Sequence, residues 1–113
     1  MPHTMTMPEM QSCTEACLHC FAQCEYCGTQ CVGMPKMAAC AKTCFDCAAT
    51  CRACVTLMAH ESPLHGKMCG LCAEACRACA AECEKHDAKH CRDCAEACRR
   101  CAEECERLAQ RVA

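Results

Sequence analysis

Apolar and polar positions alternate along this chain with a helical period, and the apolar seam consists mainly of cysteine. The cysteines recur at alternating intervals of four and three residues, the spacing of a and d positions on one helix face. A strand would alternate every second residue, and the intervening Ala, Glu, Arg, Lys and Gln favour helix. The pattern falls into four blocks: Cys13, Cys17, Cys20, Cys24, Cys27 and Cys31; Cys40, Cys44, Cys47, Cys51 and Cys54; Cys69, Cys72, Cys76, Cys79 and Cys83; and Cys91, Cys94, Cys98, Cys101 and Cys105.

Helix-breaking residues between the blocks predict helices at about 12–32, 36–60, 63–85 and 88–110, with residues 1–11 as a tail or the start of the first helix. Gly33 suits the position just after a helix, and Ser62 and Asp87 are expected to cap the third and fourth helices. Short connections between helices of similar length make neighbours antiparallel. We therefore expect one all-α domain over residues 1–113, an up-down-up-down four-helix bundle with a cysteine-lined core.

Composition then restricts the class of protein. Cysteine makes up 21 of 113 residues, a density typical of secreted disulfide scaffolds. However, the count is odd and the first residues lack the features of a secretory signal, so we expect reduced thiols in the cytoplasm.

A formal net charge of −2 gives no basic surface for nucleic acid. No apolar run approaches the ~20 residues that span a membrane. The Cys-x-x-Cys pairs lie in no strand-helix-strand pattern, so no enzyme is expected.

The cysteine spacing suits thiophilic metal ions. Residues four apart on a helix have Cβ atoms about 5–6 Å apart, close enough for two thiolates to chelate one ion. Nine such pairs occur: 13/17, 20/24, 27/31, 40/44, 47/51, 72/76, 79/83, 94/98 and 101/105. A core of thiols that only pack is disfavoured, because large aliphatic residues are too few to complete it.

Charge balance selects among the metals that soft thiolates bind. Four-coordinate Zn would use about four thiolates per ion, or ~5 ions, and leave a large negative charge in the interior. Bridged Cu(I) at about one ion per thiolate leaves the core nearly neutral. The sequence therefore favours storage of Cu(I), on the order of 20 ions per chain. A metallothionein-like buffer for Zn or Cd is the alternative.

The chain resembles the cytosolic branch of the bacterial copper storage proteins over about residues 12–108. The similarity lies in the four cysteine blocks, in the Cys-Ala-Glu-Ala-Cys-Arg segments at 72–77 and 94–99, and in the segment Cys83-Glu84-Lys85-His86. The resemblance implies that thiolates hold many Cu(I) ions inside each bundle and that bundles assemble as homotetramers. Copper-donating or copper-accepting chaperones, or small thiols, are the expected partners.

The predicted topology gives the bundle two different ends. The loop end carries the connections at 32–38 and 84–91, and the terminal end carries both termini and the connection at 55–68. Neutral soft ligands at the loop end predict a mouth for Cu(I), as the resemblance also implies: Met34, Met37, His86 and His90.

Aliphatic residues at the terminal end are expected to close it as an apolar plug: Val55, Leu57, Leu64, Leu71, Leu108 and Val112. Further soft ligands at this end suit either packing, which we favour, or a second weak metal site: Met5, Met7, Met10, Met58, His60, His65 and Met68. His19 is expected at the surface, and Tyr26 and Phe45 between helices or subunits.

Overall fold

A computed structural model describes residues 7–111, which form an antiparallel up-down-up-down bundle of four α-helices. The helices are α1 (Met7–Cys31), α2 (Ala38–Ala59), α3 (His65–Cys83) and α4 (Lys89–Arg111). α1 and α3 each pack against both α2 and α4. The sulfur of Cys13 in α1 faces that of Cys105 in α4, and Cys40 in α2 faces Cys83 in α3. Each helix start therefore lies beside the end of a neighbour. No helix within 7–111 is long and apolar enough to cross a membrane.

Two residues with positive φ determine the conformation of the connection between α1 and α2. Gly33 has φ +81° and follows α1 as predicted, and the Met34 N–H donates to the Cys31 carbonyl at 3.1 Å. Lys36 has φ +64°, a left-handed conformation that no α-helix contains. α2 therefore begins at Ala38, two residues later than the sequence pattern suggests.

The starts of α3 and α4 also differ from the predicted boundaries. The Ser62 Oγ accepts from the Leu64 N–H at 3.1 Å, and the Ser62 carbonyl accepts from the His65 N–H. Ser62 thus stabilises a turn that precedes α3, so the helix begins at His65 rather than at 63. Asp87 does not cap α4: its carboxylate accepts from the Arg92 guanidinium at 3.1 Å, and α4 begins at Lys89.

The interior consists mainly of Cys and Ala, whose small side chains allow close approach of the helices. Gly28 in α1 shows how close this approach is, since a Cβ built on it would lie 2.7 Å from Cε1 of Phe45 in α2. Phe45 thus packs between two helices, as expected, although it is 38% exposed. Tyr26 is more exposed, at 56%.

Of the residues predicted to form the apolar plug at the terminal end, only Leu108 is buried within the described part of the chain. Leu64 and Leu71 are about half exposed, and Val55 and Leu57 are partly buried. Leu108 is buried as expected, and Val112 lies outside the described residues. Leu71 follows Cys69 by two residues, which places it on the opposite side of α3 from the seam. Leu108 and three of the residues for which packing was favoured continue the seam into the interior. We call these four the terminal layer: Met10, Met58, His65 and Leu108.

Candidate metal centre

A continuous column of thiols runs along the bundle axis. All 21 cysteines lie within the described residues, all are free, and each is 0% exposed. The alternating intervals of four and three keep every sulfur on the inner face of its helix, because this spacing follows the 3.6-residue turn closely. The fold thus encloses every thiol of the chain.

Pairs within a single helix bring their sulfurs together as predicted. Five of the nine pairs spaced by four residues have Sγ atoms 3.8–4.0 Å apart: 13/17, 20/24, 72/76, 79/83 and 101/105. These distances equal those in tetrahedral thiolate sites, where bonds of ~2.3 Å put sulfurs about 3.8 Å apart. The spacing therefore suits bound metal but does not by itself select one.

Sulfurs also meet between helices, across the diagonals of the bundle as well as between neighbours. The Cys20 Sγ in α1 lies 3.8 Å from Cys47 of α2, 4.0 Å from Cys76 of α3 and 3.7 Å from Cys98 of α4. The shortest sulfur contact in the column joins Cys54 and Cys69 at 3.4 Å. Four helices therefore contribute to one connected set of ligand atoms.

The four-cysteine groups that can hold an ion share members. Sulfurs within 4.8 Å of one another include the groups 20/24/47/98, 20/51/76/101, 24/79/94/98, 17/72/101/105 and 27/40/44/83. Cys20, Cys24, Cys98 and Cys101 each belong to two of these groups. A thiolate that faces two groups can bridge two ions, so the column is a lattice of shared ligands rather than a series of separate sites.

Burial and hydrogen bonding alter the thiol pKa values in opposite directions. Burial raises the pKa of Cys31 and Cys40, and raises that of Cys91 to about 12. Hydrogen bonds, chiefly with Cys44, lower the pKa of Cys27 to about 6. A thiolate that accepts S–H hydrogen bonds is stabilised, whereas a buried thiol away from such donors keeps its proton. Metal loading must therefore displace protons from the interior.

The residues of the predicted mouth lie at different depths of the loop end. The His90 Nδ1 is 3.3 Å from the Cys27 Sγ and 3.5 Å from the Cys91 Sγ, so this imidazole joins the sulfur column. Met37 is buried, and Met34 is 45% exposed. The buried His86 Nε2 has no hydrogen-bond partner and lies 3.7 Å from Oε1 of Glu82. Of these four residues, His90 contacts the thiols directly, and Met34 lies at the surface.

One feature of the site did not follow from the sequence reasoning. Glu82 places a partly buried carboxylate beside His86, and its position four residues before His86 is the signal that could have indicated it. In the terminal layer, Met10, Met58 and His65 are buried, in agreement with the favoured prediction that they pack at this end. His19 is exposed, as predicted.

Four amphipathic helices around free, buried thiols define a class of protein: the thiol-lined four-helix bundle that binds metal. Residues 6–110 match the sequence profile of the copper storage protein family. The chain belongs to this family. A comparison with curated protein sequences found no match.

Several solved structures are similar to the chain. Apo copper storage protein 3 from Bacillus subtilis is 40% identical over 88% of this chain and 98% of its own, with a TM-score of 0.84. Its Cu(I)-bound form is 37% identical over 93% and 99%, also with a TM-score of 0.84. A cytosolic copper storage protein from Streptomyces lividans, with five coppers, is 33% identical over 94% and 96%, with a TM-score of 0.86. The resemblance inferred from the cysteine blocks is confirmed.

Proposed function

We propose that residues 1–113 form one domain that stores Cu(I) in the cytoplasm, on the order of 20 ions per chain, with all 21 cysteines as ligands. The observation that carries this proposal is the overlap of the four-cysteine groups. Separate tetrahedral sites would each need their own four sulfurs, whereas shared sulfurs suit a monovalent ion bridged between thiolates. Bridging at one ion per thiolate also leaves the buried core nearly neutral, which divalent ions at one per four thiolates do not.

Anaerobic Cu(I) titration of the whole chain tests the stoichiometry. We expect thiolate-to-Cu(I) charge-transfer absorption to rise to about one ion per cysteine, with metal analysis of the size-fractionated protein giving the same ratio. A plateau near one ion per four cysteines would instead support the Zn or Cd buffer. The mass of the loaded protein in solution tests the homotetramer that the family resemblance implies.

Copper is proposed to pass through the loop end. His90 contacts the first thiols, Met37 is buried above them, and His86 lacks a hydrogen-bond partner. Thioether and neutral imidazole are soft ligands without charge, so they pass Cu(I) to thiolates that hold it more tightly. Cytosolic copper chaperones or small thiols would exchange copper there. The role is non-enzymatic, since the thiols form a shared lattice of buried ligands.

A combined alanine variant of Met34, Met37, His86 and His90 tests this route. We expect slower uptake and slower removal of Cu(I) by a chelator, with an unchanged capacity of the thiolates. The matched control is an alanine variant of His19, His60 and Met68, which removes the same residue types away from the loop end. Equal rates for the two variants would exclude the proposed mouth and leave the storage function intact.

A further inference from the structure

The terminal layer extends the cysteine seam by one step at the end opposite the proposed mouth. Cys13, Cys54, Cys69 and Cys105 are the last sulfurs of the four helices at this end, and Cys13 and Cys105 lie 3.7 Å apart. One further interval of three or four residues reaches Met10 in α1, Met58 in α2, His65 in α3 and Leu108 in α4. All four are buried. Three of these four residues carry a soft donor atom.

His65 provides the second, independent observation. Its side chain is polar, the residue is 4% exposed, and its Nδ1 is buried without a hydrogen-bond partner. Buried polar groups in native proteins nearly always have a partner, and an unpaired one calls for an explanation such as a bound ion. A layer that served only to fill space would contain Leu or Met at this position rather than an imidazole with an unpaired nitrogen.

The donor set determines which ion fits. Two thioethers and a neutral imidazole carry no charge, and thioether sulfur selects soft ions such as Cu(I) over Zn or Mg. Leu108, the fourth residue of the layer, carries no donor atom, so the layer offers three ligands at most and favours a low coordination number. We propose that the Sδ atoms of Met10 and Met58 and the Nδ1 of His65 bind one Cu(I) directly beyond the last thiols.

This site differs in character from the thiolate column. Without thiolate charge to hold it, an ion in the terminal layer is bound more weakly, so the layer fills last and empties first. The proposal depends on the proposed storage function only for the choice of Cu(I) as the ion. The bundle would then present neutral soft ligands at both ends of the column.

The experiment uses the full chain labelled with ¹⁵N-histidine and ¹³C-methyl-methionine, titrated anaerobically with Cu(I). In the final part of the titration, we expect a coordination shift at His65 Nδ1 together with shifts of the Met10 and Met58 methyl groups. The triple variant Met10→Leu/Met58→Leu/His65→Phe should bind one Cu(I) fewer at saturation. It should still fold, because it replaces the unpaired nitrogen with apolar atoms.

The matched control is Met68→Leu, which changes a methionine at the same end that is only partly buried and lies outside the seam. It should bind as much Cu(I) as the natural chain. The proposal is overturned if the ¹⁵N resonance of His65 Nδ1 does not shift at saturation. An unchanged capacity of the triple variant also overturns it. In either case the thiolates would still bind about one Cu(I) each, which keeps a failure here separate from a failure of the storage function.

Discussion

Stepwise removal of adjacent sulfurs distinguishes a bridged column from separate metal sites. Cys20, Cys47 and Cys98 are mutual neighbours, with Sγ distances of 3.7–3.9 Å. Together with Cys24 they form one of the four-cysteine groups. We consider the series Cys20→Ala, then Cys20→Ala/Cys47→Ala, then the triple variant that adds Cys98→Ala.

The two arrangements predict different losses of copper. In a bridged column each thiolate binds two ions and each ion binds two thiolates, so every substitution removes about one Cu(I) and the triple variant loses about three. If the group were an isolated four-coordinate site, the first substitution would abolish it. The second and third substitutions would then cause no further loss.

Stability limits how far the series can go. Each substitution removes one buried sulfur and costs about 1 kcal/mol, or about 3 kcal/mol for the triple variant. That cost fits within the 5–15 kcal/mol typical of a folded domain. A control with a similar loss of stability and every thiol retained is Ala16→Gly/Ala48→Gly/Ala102→Gly, at buried helical positions that cost about 1 kcal/mol each.

The assay is metal analysis of each variant after anaerobic loading and size fractionation, with thermal unfolding of the metal-free forms. We expect the capacity to fall linearly by one ion per cysteine and the glycine control to bind as much as the natural chain. A loss that stops after the first substitution would refute the bridged column. An equal loss in the glycine control would show that stability, not ligand number, sets the capacity.

Three further predictions concern pH and packing. Burial raises the pKa of Cys91 to about 12, so the folded metal-free protein keeps a proton that the unfolded chain loses above about pH 8.5. The free energy of unfolding, measured in urea titrations, should therefore fall between pH 9 and 11. A rise over this range would contradict the prediction. Gly28→Ala should lower the melting temperature because of the Phe45 ring, whereas Gly28→Ala in a Phe45→Ala background should stabilise the helix by about 1 kcal/mol. Leu108→Ala should cost about 2–5 kcal/mol in denaturant unfolding and leave the thiolate capacity unchanged; a cost below 1 kcal/mol would show that Leu108 does not pack in the core.

The helical seam could be read from the sequence because its period leaves little freedom. When the cysteines of a whole block recur at alternating intervals of four and three residues, the pattern predicts a helix with all of them on one face. The structure agrees, since all 21 cysteines are buried. Connections were less predictable. The left-handed φ of Lys36 and the turn at Ser62 each delay a helix by two residues, and both depend on local backbone geometry that residue types do not specify.

The closure of the terminal end was predicted only in part, for a different reason. The prediction chose residues by hydrophobicity, such as Leu64 and Leu71, which are about half exposed. One more interval beyond each cysteine block at this end selects the buried Met10, Met58, His65 and Leu108 from the wider set of candidates. Which helices meet across a diagonal, and which sulfurs belong to two groups, depends on the rotation of each helix in the bundle. Sequence spacing within one helix does not contain that information.

The packing of free sulfurs at 3.4–4.0 Å also has a consequence for oxidation. A disulfide bond is about 2.05 Å long, so neighbouring sulfurs need to move only roughly 1.4–2 Å to form one. One oxidation event inside an empty bundle could therefore cross-link two helices and take two ligands out of use. Because every thiol is 0% exposed, an oxidant reaches them only through the proposed mouth at the loop end or when the bundle opens. The rate at which the empty protein oxidises in air therefore measures how accessible the sulfur column is.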